Sequence, residues 1–302
     1  MIKEISKNLI NEIERCLSVQ IVSTAIPPQG MDSQVFIVVD ENKKEYIIKY
    51  SNWAINDKLA YELIIKNNLN IPIPRMIGSI KFQDKHVLIL EKLDYPLLET
   101  TNNKAKYIPS MITNLKEIHK VKSNIAGMLN SKENITWKEI LLSKFNGKDK
   151  LLNWDSIYKR PLLKPTLIQD SIAKLVKNIK NTQFTTNNYT LLHPDFNQRN
   201  LFINPNTTEI TGIIDWSESM FGDPIYDFAR LRMFIWHFKL GKDVLDSYYK
   251  LLSFNDEERK LEDIYFTSFV IEYLAYYSEE SNEFNNSRIE THQEYLAKYI
   301  ER

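Results

Sequence analysis

A single cysteine, Cys16, stands in the 302-residue chain, so neither an internal disulfide nor a cysteine-rich zinc site can form. A reducing, cytoplasmic setting is expected, and a small buried residue is the ordinary use of such a thiol. Net charge is missing as well. Lysine plus arginine and aspartate plus glutamate each number 39, which leaves no overall field to draw nucleic acid or an anionic membrane. No apolar run approaches the roughly 20 residues of a membrane span. The opening Met1-Ile2-Lys3-Glu4 carries an early acid and no sustained apolar stretch, unlike a secretory signal. Glycine is scarce, with seven in all, so each one in a loop carries weight. These absences leave small molecules as the expected partners.

What is present suits a folded protein of two parts. Hydrophobic residues make up 43% and charged residues 26%, an ordinary balance for burial, and the length exceeds what one small core usually holds. Ile2, Ile5, Leu9, Ile10 and Ile13 recur at helical spacing, and Val19 to Thr24, Gln34 to Asp40 and Glu45 to Tyr50 read as strands. A helix from about Ile55 to Asn68 follows, then two strands, Arg75 to Phe82 and His86 to Glu91. After Leu93 the pattern turns helical, interrupted by short strands at Tyr189 to Leu192, Leu201 to Ile203 and Ile210 to Trp216. The expected class is α+β. Five strands and one helix occupy 1–93, and a mainly helical part occupies 94–302, with long helices from about Tyr226 to Phe254 (broken at Gly241), Glu257 to Glu279 and Arg288 onward.

The chemistry concentrates between those short strands. In Leu192-His193-Pro194-Asp195-Phe196-Asn197-Gln198-Arg199-Asn200 an aspartate precedes an asparagine by five positions, and Asp215 follows in Ile213-Ile214-Asp215-Trp216. Phosphoryl transfer needs a carboxylate to take the proton of the attacking hydroxyl and oxygen ligands to hold magnesium against the phosphates. This spacing supplies both. An acid at the end of an apolar strand is costly to bury without a ligand or partner, which strengthens the reading.

From Leu192 to Arg230 the chain resembles the aminoglycoside phosphotransferase family. The run Ser217-Glu218-Ser219-Met220-Phe221-Gly222-Asp223-Pro224-Ile225-Tyr226-Asp227 is similar to its hygromycin-type members. The resemblance implies a bilobal, protein-kinase-like fold and transfer of the γ-phosphate of ATP or GTP, with Mg2+, to a hydroxyl of an antibiotic. It implies Asp195 as catalytic base, Asn200 and Asp215 as magnesium ligands, and structural roles for His193, Asp223 and Asp227. It further implies that the first part supplies a lysine for the phosphates with a helix acid to hold it. Lys49, in Tyr46-Ile47-Ile48-Lys49-Tyr50, and Glu62 are the candidates, although Lys58 and Lys66 lie four residues either side of Glu62 and offer it ordinary surface pairs. Gly30 and Ser33, in Pro27-Pro28-Gln29-Gly30-Met31-Asp32-Ser33, lie where the phosphates would be covered, without the full G-x-G-x-x-G pattern. Glu91-Lys92-Leu93 resembles the hinge that would meet the nucleotide base, through Glu91 and Leu93. Trp216-Ser217 in place of Phe-Gly, and no Ala-Pro-Glu segment, argue against a protein kinase.

The acceptor is expected to be cationic. From Asp256 to Arg302 twelve acids face five basic residues, a local excess that attracts amines. Glu218, beside the metal-binding region, is the one substrate contact singled out, and Glu272, Glu279 and Glu280 are further candidates. The aromatics Trp236, Tyr273, Tyr276 and Tyr277 suit either stacking on sugars or a helical core. Two other readings share these residues: a metabolic kinase for choline, homoserine, methylthioribose or a fructosamine, and a catalytically silent nucleotide-binding module.

Overall fold

A computed structural model describes residues 4–27, 34–131, 133, 135–147, 152–184 and 188–302. The chain divides into two compact units, one of residues 1–121, 128–132 and 193–220, the other of 122–127, 133–192 and 221–302.

The first unit opens with α1 (Lys7–Leu17), which starts where Ser6 accepts a hydrogen bond from the Leu9 amide at 3.3 Å. The strands that follow are β1 (Ile21–Ala25), β2 (Gln34–Asp40), β3 (Glu45–Ser51), β4 (Met76–Phe82) and β5 (Lys85–Glu91). They form one antiparallel sheet in the order β1-β2-β3-β5-β4, and α2 (Ala54–Lys66) is inserted between β3 and β4. Alternation assigns the two faces. Phe36, Val38, Tyr46, Ile48, Tyr50, Val87 and Ile89 point to one side and bury Leu9 and Ile13 of α1, while α2 packs on β3 and β5. The turn Asp40 to Lys44 is closed by Asp40, whose carboxylate accepts from the Asn42 and Lys44 amides, both at 2.9 Å.

The same unit contains α3 (Ile108–Ile118) and the hairpin of β9 (Leu201–Ile203) and β10 (Ile210–Ile213), against which α3 packs. The strand expected to reach Trp216 stops at Ile213. Asp215 has φ 62°, a left-handed conformation that ends the ladder.

The second unit is mainly helical: α4 (Trp137–Ser143), α5 (Trp154–Ile157), α6 (Pro165–Asn181), α7 (Ile225–His237), α8 (Lys242–Leu252), α9 (Asp256–Tyr277) and α10 (Glu283–Glu301). Four two-to-four-residue strands complete the chain, β6 (Lys122–Ser123), β7 (Gly127–Met128), β8 (Tyr189–Leu192) and β11 (Met220–Gly222). The helix expected across Tyr226 to Phe254 is α7 and α8, separated where Gly241 takes φ 97°, which suits glycine. α9 packs on α6, α7 and α10. Buried Glu262 of α9 joins three helices, since Arg232 of α7 (3.2 Å) and Tyr249 (2.8 Å) and Tyr248 of α8 all donate to it. Asp223 accepts from the Ile225 amide at 2.9 Å and starts α7, the structural use its sequence suggested. Among the described residues no helix is long and apolar enough to cross a membrane.

Candidate active site

The site is assembled within the first unit by the hairpin of β9 and β10. Leu201 pairs with Ile213, so Asn200, just before β9, and Ile214, just after β10, emerge at the same end. The Ile214 amide donates to the Asn200 carbonyl at 3.0 Å, and the side chain of His193 adds a second tie, its Nε2–H donating to the Ile214 carbonyl at 3.0 Å. The carbonyl can only accept, so Nε2 carries the proton. The imidazole is buried between Trp216, 4.5 Å away between ring centres, and Phe196 at 5.6 Å. His193 therefore braces the loop.

Asp195 projects from the turn His193–Asn200 with both carboxylate oxygens oriented by amides. Asn197 Nδ2 donates to Oδ1 at 2.6 Å, and Asn200 Nδ2 to Oδ2 at 2.7 Å. Because Asn200 directs its amino group to Asp195, its amide oxygen is the atom left to meet a cation. Asp215 turns one oxygen inward: Oδ1 accepts from Lys49 Nζ at 2.7 Å and from Ser217 Oγ at 2.7 Å. Its side chain stays 37% exposed, with Oδ2 available. One carboxylate and one amide oxygen, with Asp195 adjoining, form an oxygen-only set. That composition suits Mg2+, which retains water and phosphate oxygens in its shell and needs no all-protein cage. Among the described residues no group of three or more His, Cys, Asp or Glu is arranged to hold a metal ion.

Lys49 meets two carboxylates at once, Asp57 at 2.8 Å and Asp215 at 2.7 Å. Burial by itself lowers the pKa of its ammonium, but the two acids more than reverse this and hold it above the usual lysine value. For Asp57, 1% exposed, burial prevails over the attraction of Lys49 and its pKa lies above the ordinary carboxylate range. Asp215 is also opposed by burial, yet Lys49 and Ser217 bring its pKa below that range. The result is a charged ammonium anchored by a buried acid on α2 and directed at the open acid of the loop.

The helix acid that reaches Lys49 is Asp57. Glu62, expected in that role, sits five residues on with its side chain 48% exposed, where it pairs with Lys58 at 3.4 Å and makes no contact with Lys49. The reason is helical phase. The buried residues of α2 include Asp57, Ala60, Tyr61 and Ile64, one stripe at i, i+3, i+4 and i+7, and Glu62 falls off it. The apolar members of that stripe, Ala60, Tyr61 and Ile64, stand in the sequence, but the polar Asn56 and Asp57 at its head mask it. Asn56, Asn197 and Ser217, which hold the loop and its acids, had no spacing signal.

The remaining expected residues are placed as follows. Glu91 ends β5 and clasps the segment before β4: its amide donates to the Arg75 carbonyl at 3.0 Å, and its carboxylate accepts from the Arg75 amide at 2.7 Å. Leu93 lies over the hairpin, so close to Gly212 that an added Cβ there would stand 2.3 Å from Leu93 Cδ1. Gly30 and Ser33 lie outside the described residues. Glu218 is exposed in the turn closed by the Ser219 amide on the Trp216 carbonyl at 3.0 Å. Glu272, in the second unit, is not available to an amine: Lys144 Nζ contacts it at 2.8 Å and Ser268 donates to it at 2.6 Å. Tyr273 stacks on Tyr277 at 5.5 Å and carries the Arg230 guanidinium 4.9 Å from its ring centre.

No curated protein matches the chain in sequence. Among solved structures, aminoglycoside phosphotransferase APH(4)-Ia, as a thermostable mutant without ligands, superposes with a TM-score of 0.70 at 15% identity, covering 98% of this chain and 99% of that one. The same enzyme is also known in a ternary complex with ADP and hygromycin B (0.69, 14% identity, 97% and 98% covered). Spectinomycin phosphotransferase APH(9)-Ia, in complex with ADP and spectinomycin, gives 0.64 at 19% identity, covering 98% and 94%. These likenesses establish the kinase-like fold. The family model of the phosphotransferase enzyme family, APH, matches residues 24–262, so with most of its length inside that match the chain belongs to the phosphotransferase enzyme family.

Proposed function

We propose that the protein is an antibiotic kinase that moves the γ-phosphate of ATP or GTP to a hydroxyl of a cationic aminoglycoside such as hygromycin B. The observation that carries the reading is the joint orientation of Asp195 and Asp215 within one unit: the first held by Asn197 and Asn200, the second by Lys49 and Ser217. Residues 1–93 serve the nucleotide and 94–302 supply catalysis and the acceptor site. In this reading Lys49 neutralises phosphate oxygens, and Asn200 and Asp215 hold Mg2+. The ion supplies charge neutralisation at the transferring phosphoryl group. Asp195 orients the acceptor hydroxyl and takes its proton as the new O–P bond forms and the bond from the γ-phosphorus to the nucleotide's bridging oxygen breaks. Gly30 and Ser33 cover the phosphates, and the backbone around Glu91 and Leu93 meets the base.

Support for the acceptor class comes from the acidic excess over 256–302, with Glu218 the proposed contact, and from the antibiotics bound by the structural neighbours. The absence of a spanning helix among the described residues and the lone cysteine support a cytoplasmic site of action.

The test is ADP formation from Mg-ATP and Mg-GTP with a panel of aminoglycosides and of metabolic alcohols, for the wild type and Asp195→Asn. Turnover with an aminoglycoside, lowered about 10²–10⁴-fold in the variant while nucleotide binding is kept, supports the proposal. Turnover with a metabolic alcohol alone transfers the same chemistry to another substrate. Full activity in Asp195→Asn refutes the assignment of the base.

A further inference from the structure

The loop Asp215–Ser219 has little regular structure of its own, yet it is held on several sides by the first turn of α2. Asp57 Oδ1 accepts from the Trp216 amide at 2.8 Å. The neighbouring Asn56 is fully buried, and its Nδ2 donates to the Ser217 carbonyl at 2.8 Å and the Ser219 carbonyl at 2.7 Å, with the Trp216 carbonyl at 3.5 Å. Those two short bonds use both protons of the amide. Its Oδ1 accepts from the Asn130 amide at 3.2 Å, which fixes the orientation: turned over, the group would set an oxygen against carbonyls and an NH2 against an N–H. One side chain thus stands in for the ladder partners that buried carbonyls of a helix or strand would have.

This matters because of the residue the loop presents. Asp215 is left-handed at φ 62°, a conformation that is strained for a non-glycine residue and is held by its surroundings. Its own side chain is directed by Lys49 and Ser217, and Ser217 is one of the residues whose carbonyl Asn56 holds. Releasing Asn56 frees the turn on which both the φ of Asp215 and the reach of Ser217 depend.

We infer that Asn56 is a positioning residue for the metal site: it holds the Asp215 loop in the cation-ready conformation before any ligand binds. The inference rests on the reading of Asp215 as a magnesium ligand. Buried, with both amide protons and its oxygen engaged by backbone groups, Asn56 acts through the backbone at 217 and 219.

Binding of Mn2+ to the full-length protein with ADP, followed by electron paramagnetic resonance, tests it alongside melting temperature and ADP binding in EDTA. In Asn56→Ala, Mn2+ affinity is expected to fall tenfold or more, while ADP binding without metal stays within twofold. Asn56→Ser retains one donor and reads the same quantity should the alanine variant not fold. A folded variant with wild-type Mn2+ affinity overturns the inference, even if its melting temperature has dropped. Asp215→Asn separates this from failure of the underlying reading. If that variant loses Mn2+ and the Asn56 variants do not, only the positioning role falls; if Asp215→Asn keeps wild-type affinity, the metal assignment falls with it.

Discussion

Replacing Lys49 by methionine keeps a side chain of similar reach and removes the ammonium that stands between Asp57 and Asp215. Asp215 is partly open to water and loses little, but the side chain of Asp57 is 2% exposed and is left as an unpaired buried charge. Breaking a buried pair in this way typically costs 3–5 kcal/mol. The protein can limit the cost by protonating Asp57, and that exit sets a ceiling. Starting from a carboxylate pKa of 3.8, protonation at pH 8 costs about 6 kcal/mol, whereas at pH 5.5 it costs about 2 kcal/mol. The loss of stability should therefore be about 3–5 kcal/mol at pH 8, lowering the melting temperature by roughly 5–8 °C for a chain of this length, and should shrink to about 2 kcal/mol or less at pH 5.5. The sign follows from linkage. Without its partner, Asp57 has a folded-state pKa raised further above the unfolded one, so the penalty is full above the folded value and is relieved as pH falls through it. Thermal and denaturant unfolding of wild type, Lys49→Met and Lys49→Met/Asp57→Asn at the two pH values measure this. The double variant keeps the acceptor for the Trp216 amide and should regain more than half of the loss at pH 8. A Lys49→Met loss that is equal at both pH values, or below 1 kcal/mol at pH 8, refutes the reasoning.

Three further outcomes follow from the packing. Glu62→Ala should change stability by less than about 0.5 kcal/mol and leave turnover near wild type, whereas Asp57→Ala should impair both; the reverse order would restore Glu62 as the partner of Lys49. Gly222→Ala places a Cβ 2.4 Å from Trp137 Cζ3 and 2.7 Å from Leu192 Cδ1, an overpacking that should cost about 1–3 kcal/mol in denaturant unfolding. In the second unit, burial, joined by the charge of the nearby Arg288, pushes His237 down to about 3, and burial pushes His292 down to about 4 against the opposing hydrogen bond to the Arg288 carbonyl. The unfolded chain takes up those protons near pH 6.5 and the folded one does not, so stability should fall as pH drops from 7 toward 4, by up to about 1.4 kcal/mol per pH unit for each histidine. A melting temperature flat from pH 7 to 5 contradicts this.

The nearness of Asp195, Asn200 and Asp215 was legible because it is set locally: Asp195 and Asn200 lie in one turn, and a polar break separates the two apolar strands that bring Asp215 back to them. The presence of five strands was legible because each is a short apolar run bounded by polar or proline-containing segments, whereas their order, with β5 between β3 and β4, depends on the long connection through α2 and was not. The partner of Lys49 was harder to read. Glu62 looks like a helix acid at a generous distance from Lys49, and nothing in the residue type reveals which face of α2 is buried. Only the phase set by Ala60, Tyr61 and Ile64 does, and two polar residues at its head, Asn56 and Asp57, obscure the apolar stripe that would have announced it. The left-handed Asp215 was hidden because aspartate tolerates that conformation without any glycine to mark it. Acids in the C-terminal half that looked available to an amine are partly committed to protein cations, as Glu272 is to Lys144.

The two partners of Lys49 differ greatly in how far along the chain they lie. Asp57 is 8 residues away and Asp215 is 166. By loop-closure entropy the distant contact costs about 3 kcal/mol more to form than the near one. The strand and the first turn of α2 can therefore trap the ammonium early in folding, and the segment carrying Asp215 arrives at a cation already ordered. Loss of Asp57 should accordingly slow refolding, whereas loss of Asp215 should mainly hasten unfolding.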